Sequence, residues 1–253
     1  MNLNVLVLPG DGIGTEVTRE AVRVLRRVAE RWHHGLQLAE GLLGGVAIHK
    51  TGSPFPEETA RLAADADATL LGAVGLPEFD NCPPERRPEK GLLGIRQALG
   101  VFANLRPVRT FAALIDSSPL KNALVEGTDM IIVRELTGGI YYGTPRGVSG
   151  SGAEERAVNT MTYTRAEIER VAHMAFHLAQ GRRRKVTSVD KSNVLENSQL
   201  WRRVVTEAAA IYPEVTLDHL LVDNCAMQLI LNPRRFDVVL TENMFGDILS
   251  DEG

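Results

Sequence analysis

Two apolar periodicities take turns along this chain. Short, nearly unbroken apolar runs at Asn4–Leu8, Leu36–Glu40, Ala68–Val74, Asp129–Val133, Val215–Val222 and Phe236–Leu240 have the length and composition of buried strands. Between them lie stretches with apolar residues three and four apart. Thr15 to Trp32 places Val17, Ala21, Val24, Leu25, Val28 and Trp32 on one stripe, and Arg165 to Gln180 does so with Ile168, Val171, Ala172, Ala175, Phe176 and Ala179. Both predict amphipathic helices. Shorter helices are expected over Pro56–Ala66, around Leu92, Leu93, Ile95 and Leu99, and over Ala226–Ile230, and the chain from Val186 to Glu196 is read as passing from strand to helix. Alternating strands and helices predict an α/β fold whose largely parallel sheet is covered by helices. Gly75 to Gly91, rich in proline and charge, is expected to be a loop. The glycine-rich polar stretch from Glu135 to about Thr162 is long for a connection inside a compact domain and is expected to pair with a partner chain.

Composition changes this picture little. The 253 residues are 44% hydrophobic and 24% charged, an ordinary globular balance, and the length allows one large domain or two moderate ones. A net charge of −4 argues against a general nucleic-acid binder. The basic run Arg182–Lys185 follows a predicted helix end, where cations are favoured, and is read as a solvated cap. Two cysteines, Cys82 and Cys225, form neither a disulfide framework nor a paired metal motif, and suit reduced thiols. No apolar run approaches the roughly 20 residues of a membrane span, so a cytoplasmic protein is expected.

The candidate chemistry is concentrated late in the chain. Asp247 and Asp251 stand four apart after a strand-like run. If the segment turns helical after Asn243, both carboxylates lie on one face, one turn apart. That suits a hard divalent ion such as Mg²⁺ or Mn²⁺, although on spacing alone two solvated acids are the commoner meaning. Arg96, Arg106 and Arg134 would recognise a polycarboxylate if they converged; taken singly, each reads as a surface ion-pair residue. Lys191, at a strand-to-helix junction, reads as a base if a metal lowers its pKa and as a solvated lysine otherwise. The turn Pro9–Gly14 has glycines at 10, 12 and 14, which is not the G-x-G-x-x-G spacing of a dinucleotide fingerprint.

Five motifs in one order carry a resemblance: Pro9–Gly14, Phe102–Pro107, Arg134–Tyr141, Asp190–Glu196 and Thr241–Asp251. With them the chain resembles the isocitrate/isopropylmalate dehydrogenase family of β-decarboxylating dehydrogenases. The resemblance implies that family's two-domain α/β fold, not a Rossmann fold, with a large cofactor-side domain over 1–101 and a dimerisation and substrate/metal domain over 102–253. It also implies a homodimer with shared sites. Arg96, Arg106 and Arg134 would hold the malate part of the substrate. Asp247 and Asp251, with Asp223 from the other subunit, would bind Mg²⁺ or Mn²⁺. Lys191, also from the partner, would be the base, Tyr141 the proton donor, and Gly75 and Glu89 would lie beside NAD.

Substrate choice follows from the same resemblance. Leu92 and Leu93, with Val194 from the partner, would take an isopropyl group, because a carboxylate among such side chains loses its solvation without a partner. The implied reaction is the NAD-linked oxidative decarboxylation of 3-isopropylmalate in leucine biosynthesis; tartrate, D-malate and homoisocitrate remain as alternatives. Leu76 and Gln97 depart from residues common in the family. Family members also continue into an adenosine-binding loop that should choose NAD over NADP. Without it the large domain is expected to be incomplete, with the helix face around Val24, Leu25 and Val28 bare. The 253-residue chain is then expected to keep a divalent-metal site and to bind NAD weakly, and an inactive fragment is a further alternative.

Overall fold

A computed structural model describes residues 1–83 and 86–253, and the chain forms two compact units, Met1–Gly100 and Val101–Gly253. In the first unit β1 (Asn2–Gly10) leads through a turn into α1 (Gly14–Arg31). β2 (Gly35–Glu40), α2 (Gly45–Thr51), α3 (Glu57–Asp65), β3 (Ala68–Ala73) and α4 (Pro88–Ala98) follow. Three parallel strands form the sheet in the order β2-β1-β3. Its core is Leu6, Leu8, Leu43, Ala63 and Ile95, with Leu92 and Leu99 packed against it. Pro56 sets the entry to α3 as its N-cap residue. α4 takes in the last four residues of the expected Gly75–Gly91 loop, with proline in its first turn, where the missing N–H costs nothing. Residues 84–85 of that loop lie outside the described residues.

The second unit contains β4 (Ala103–Arg109), α5 (Asn122–Val125), β5 (Asp129–Glu135), β6 (Gly147–Ser149) and β7 (Arg156–Val158). α6 (Arg165–Gln180), β8 (Lys185–Asp190), α7 (Glu196–Ala209), β9 (Thr216–Leu221), α8 (Val222–Leu231), β10 (Val238–Thr241) and α9 (Asn243–Glu252) complete it. Its main sheet has the order β4-β5-β10-β8-β9. Only β4 runs antiparallel there, so the sheet is mixed at one edge. Side chains alternate across it as the pleat requires. Val133, Val238 and Leu240 join Ile168, Phe176 and Trp201 of α6 and α7 in one core, while Ile132 and Val239 join Cys225, Leu229 and Leu249 of α8 and α9 in another. Both faces are therefore covered, as buried parallel strands demand. The glycine-rich stretch contains the short antiparallel pair β6–β7, whose residues are all exposed.

α6 opens with a capping box, Thr164 accepting from the Glu167 N–H while the Glu167 side chain accepts in return, which fixes its start. Beyond its end the basic run Arg182–Lys185 is a solvated cap only in part: Arg183 and Arg184 are exposed, whereas Arg182 and Lys185 are held by acids. Arg182 reaches Asp129 at 2.6 Å and the buried Asp237 at 2.8 Å. Arg183 donates to the Phe236 carbonyl, and Lys185 pairs with Asp218 at 3.2 Å. These cations fasten the starts of β5, β8 and β10 together.

Candidate active site

Because β5, β10, β8 and β9 are mutually parallel, their carboxyl ends share one edge, the place where open α/β sheets bind ligands. Arg134, the last residue but one of β5, lies opposite Thr241 of β10, and Asp190 closes β8 opposite Leu221 of β9. The residues just past these ends are Asn243 and Asp247 on α9, Lys191 after β8, and Asp223 in the first turn of α8. Topology thus collects most of the candidate residues of this unit at one rim.

Arg134 is not a surface ion-pair residue: it is only 3% exposed. Its Nε and Nη2 donate to Asn243 Oδ1 at 3.0 and 2.7 Å, and its Nη1 donates to Asp247 Oδ1. The Tyr141 hydroxyl donates to the other oxygen of Asp247 at 2.8 Å, and the Arg134 guanidinium lies 5.9 Å from the Tyr141 ring centre. Burial, and then the Asp247 carboxylate, push the Tyr141 hydroxyl up to about 12. Gly246 is what lets α9 come this close. A Cβ there would lie 2.6 Å from Arg134 Cγ, so any larger residue would drive α9 and its aspartate away from β5.

Beneath this corner lies a buried acid. Glu242 caps α9, accepting from the Met244 and Phe245 N–H groups at 3.0 and 2.7 Å, and Tyr163 donates to it at 3.3 Å. Burial raises the Glu242 carboxyl above the usual carboxylate range despite those donors. The same burial, with Glu242 and Glu135 nearby, raises Tyr163 far above its ordinary value.

Lys191 and Asp223 stand apart from that network. They pair with each other at 2.7 Å, with the carboxylate 64% exposed, and the Lys191 hydrogen bond holds Asp223 below the usual carboxylate range. Asp251 is exposed one turn beyond Asp247 on α9, and Val194 is exposed after β8. Arg106 lies exposed on β4, its Nε bonded to Asn104 at 2.9 Å. Among the described residues, no three His, Cys, Asp or Glu side chains converge on a metal position.

The first unit holds the remaining candidates. Arg96, Leu92, Leu93 and Glu89 lie on α4, and Leu92 also packs against the core. Gly75 has a φ of +127°, and a Cβ there would lie 3.3 Å from Glu89 Oε1. Its N–H donates to Asp11, which also accepts from Gly45 and Val46, all at 2.8 to 2.9 Å. The Pro9–Gly14 turn thus contributes a buried carboxylate that pins the Gly75 turn to the start of α2. Sequence reasoning did not single out Asp11, Glu242, Asn243 or Gly246. The signal available was their place inside two of the motifs, without any pattern that told their tasks apart.

Comparison with known proteins gives a consistent outcome. A family profile described as isocitrate/isopropylmalate dehydrogenase matches residues 4–253. A 3-isopropylmalate dehydrogenase of Geobacillus kaustophilus is 59% identical over 251 residues, covering 99% of this chain and 68% of that protein. One from Aquifex aeolicus is 55% identical over 248 residues, covering 98% and 68%. Among solved structures, an isocitrate dehydrogenase from Methylococcus capsulatus aligns with a TM-score of 0.84 at 32% identity, over 100% of this chain and 70% of that one. A β-decarboxylating dehydrogenase from Thermococcus kodakarensis aligns with a TM-score of 0.73 at 35% identity, over 100% and 67%.

Proposed function

Since this chain belongs to the isocitrate/isopropylmalate dehydrogenase family, we propose that it serves the NAD-linked, divalent-metal-dependent oxidative decarboxylation of 3-isopropylmalate. The relatives carrying that name make it an oxidoreductase of the same type. The observation that carries the reading is the corner where buried Arg134, Tyr141 and Asp247 meet at the carboxyl ends of the parallel strands. A buried cation, an acidic ligand and a hydroxyl donor in mutual contact suit an acid whose carboxylate and hydroxyl must be held together.

The residues present fit the groups the family implies. Asp247 and Asp251, one turn apart on α9, with Asp223 from a second copy, offer the hard oxygen ligands that Mg²⁺ or Mn²⁺ takes. The side-chain-free Gly75 turn beside Glu89 offers NAD a close backbone approach. When bound, the metal supplies Lewis-acid polarisation of substrate oxygens and NAD supplies the hydride acceptor.

The chain's own side chains would do the rest. Arg106 and Arg134 hold substrate carboxylates, a task the family likeness also gives to Arg96. Lys191 from the second copy takes the hydroxyl proton as the carbon-bound hydrogen leaves as hydride. The resulting 2-oxo acid loses CO₂ from the neighbouring carbon, the electrons of the broken bond moving onto the carbonyl oxygen. Tyr141 then returns a proton to that carbon. The branched side group is assigned to Leu92, Leu93 and Val194, and the core packing of Leu92 puts more of the preference on the other two.

The test is substrate preference in the protein carried to the full length of its relatives. 3-Isopropylmalate should exceed D-malate in kcat/KM by at least about tenfold, the worth of burying a few methyl groups. Equal efficiencies, or a preference for isocitrate, would overturn the substrate assignment.

A further inference from the structure

Asn243 is fully buried at the first position of α9, and nothing in the proposed chemistry uses it. Its surroundings are unusually complete for a residue without an assigned task. Oδ1 accepts two N–H groups from the same guanidinium, Arg134 Nε and Nη2, which occupies both lone pairs of an amide oxygen. Nδ2 donates to the Gly138 carbonyl at 3.0 Å. The backbone N–H donates to the Tyr163 hydroxyl at 3.0 Å. With cationic donors on one side and a carbonyl on the other, only one orientation of the amide satisfies both, so the side chain reads polarity as well as position.

These bonds join the three pieces of the corner. Arg134 belongs to β5, Gly138 lies directly before the short turn Gly139–Tyr141 that presents Tyr141, and Asn243 and Asp247 share α9. Two of the guanidinium nitrogens are taken by one acceptor, which turns the remaining one, Nη1, towards Asp247. A buried arginine without such an acceptor would have its Nε edge unpaired in a dry site, a costly state that swings the group towards any carboxylate in reach. We propose that Asn243 is a positioning residue: its amide fixes the plane of the Arg134 guanidinium and the Gly138 carbonyl together, and so sets how the substrate-gripping arginine and the Tyr141 hydroxyl meet. The inference rests on the functional reading above for the word substrate, while the positioning of Arg134 and Gly138 stands without it.

The experiment uses the 253-residue chain labelled with ¹⁵N, with the Arg134 Nε–H signal identified by its loss in Arg134→Lys. In the parent that signal should be resolved and exchange with solvent at least tenfold more slowly than those of exposed arginines. Asn243→Asp keeps an oxygen facing Arg134 and removes the donor to Gly138. It should retain the protected arginine signal while shifting the amide signal of Gly139, which shares a peptide unit with the Gly138 carbonyl. Asn243→Leu should abolish the protection while the chain stays folded by circular dichroism. Binding of 3-isopropylmalate by calorimetry should weaken at least tenfold in both variants. If the parent binds none, the substrate reading fails and the arginine signals still decide the positioning role. A protected Arg134 signal in folded Asn243→Leu would overturn the proposal. If that variant does not fold, an unshifted Gly139 amide in Asn243→Asp, or an unprotected Arg134 in the parent, would do so.

Discussion

The corner around Arg134 and the pair Lys191–Asp223 lie at the same edge of the same sheet, yet they are built in opposite ways. Arg134 is 3% exposed and every neighbour of its guanidinium is itself bonded to something else. Lys191 and Asp223 share one exposed hydrogen bond. The first arrangement is preorganised by one chain: its geometry is fixed before any ligand arrives, and the folded state depends on it. The second is cheap to rearrange, which suits side chains whose proposed work is done in the site of another copy.

The largest expected effect separates chemistry from stability at Lys191. In the protein at the length of its relatives, Lys191→Met should lower the rate of hydride transfer by about 10²–10⁴-fold, the contribution of a positioned base. Unfolding free energy should move by less than about 0.5 kcal/mol, since exposed pairs contribute little. Single-turnover kinetics and urea melts measure the two. Lost substrate binding with normal single-turnover chemistry would contradict the assignment of the base.

Arg134 should behave in the reverse manner. Arg134→Leu strands Asn243 and one side of Asp247, and should cost about 3 kcal/mol of stability, measurable as a shift of the urea midpoint. Arg106→Leu, on the neighbouring strand but exposed, should stay within about 0.5 kcal/mol and register only as a raised KM. Similar losses for the two arginines would erase the contrast.

The smallest effect concerns Glu242. Burial raises its carboxyl in the folded state, so the folded chain holds that proton more tightly than the unfolded one. The stability this contributes is complete below the ordinary carboxylate pKa and is lost as pH rises through the raised value. Glu242→Gln has no proton to lose. Its melting temperature should therefore fall less than the parent's between pH 5 and pH 8, even though one N–H acceptor at the start of α9 is sacrificed. Parallel pH dependences would show that the site tolerates the charge.

Periodicity told where the helices are more reliably than which face is buried. In α6 the apolar stripe and the buried stripe coincide, from Ile168 to Ala179. In α1 the buried positions are Gly14, Thr18 and Ala29, while Val17, Val24, Val28 and Trp32 are exposed. The helix therefore buries mainly small residues, and most of its apolar stripe faces outward, with Ala21 and Leu25 half-buried. The chain spans about two thirds of the length of its relatives, and no pattern within α1 says which of its two faces a neighbour covers. At the candidate site, the one-turn spacing of Asp247 and Asp251 was legible because a helix after a strand fixes it. The burial of Arg134 was not, because it depends on Gly246 and Asn243, more than a hundred residues later. The ion pairs of Arg182 and Lys185 were not legible for the same reason: Asp129, Asp237 and Asp218 are distant in sequence and adjacent only in the sheet.

The central claim is that these two regions complete one metal centre across two copies of the chain. Mn²⁺ binding tests it directly, on the 253-residue chain and without any need for turnover. Asp223→Asn and Asp247→Asn should each bind Mn²⁺ at least tenfold more weakly than the parent by calorimetry. After the two variants are unfolded, mixed and refolded together, mixed dimers carry one intact centre each, and the tight Mn²⁺ isotherm should return at reduced stoichiometry. No recovery in the mixture, or parent-like binding by Asp223→Asn alone, would contradict the account.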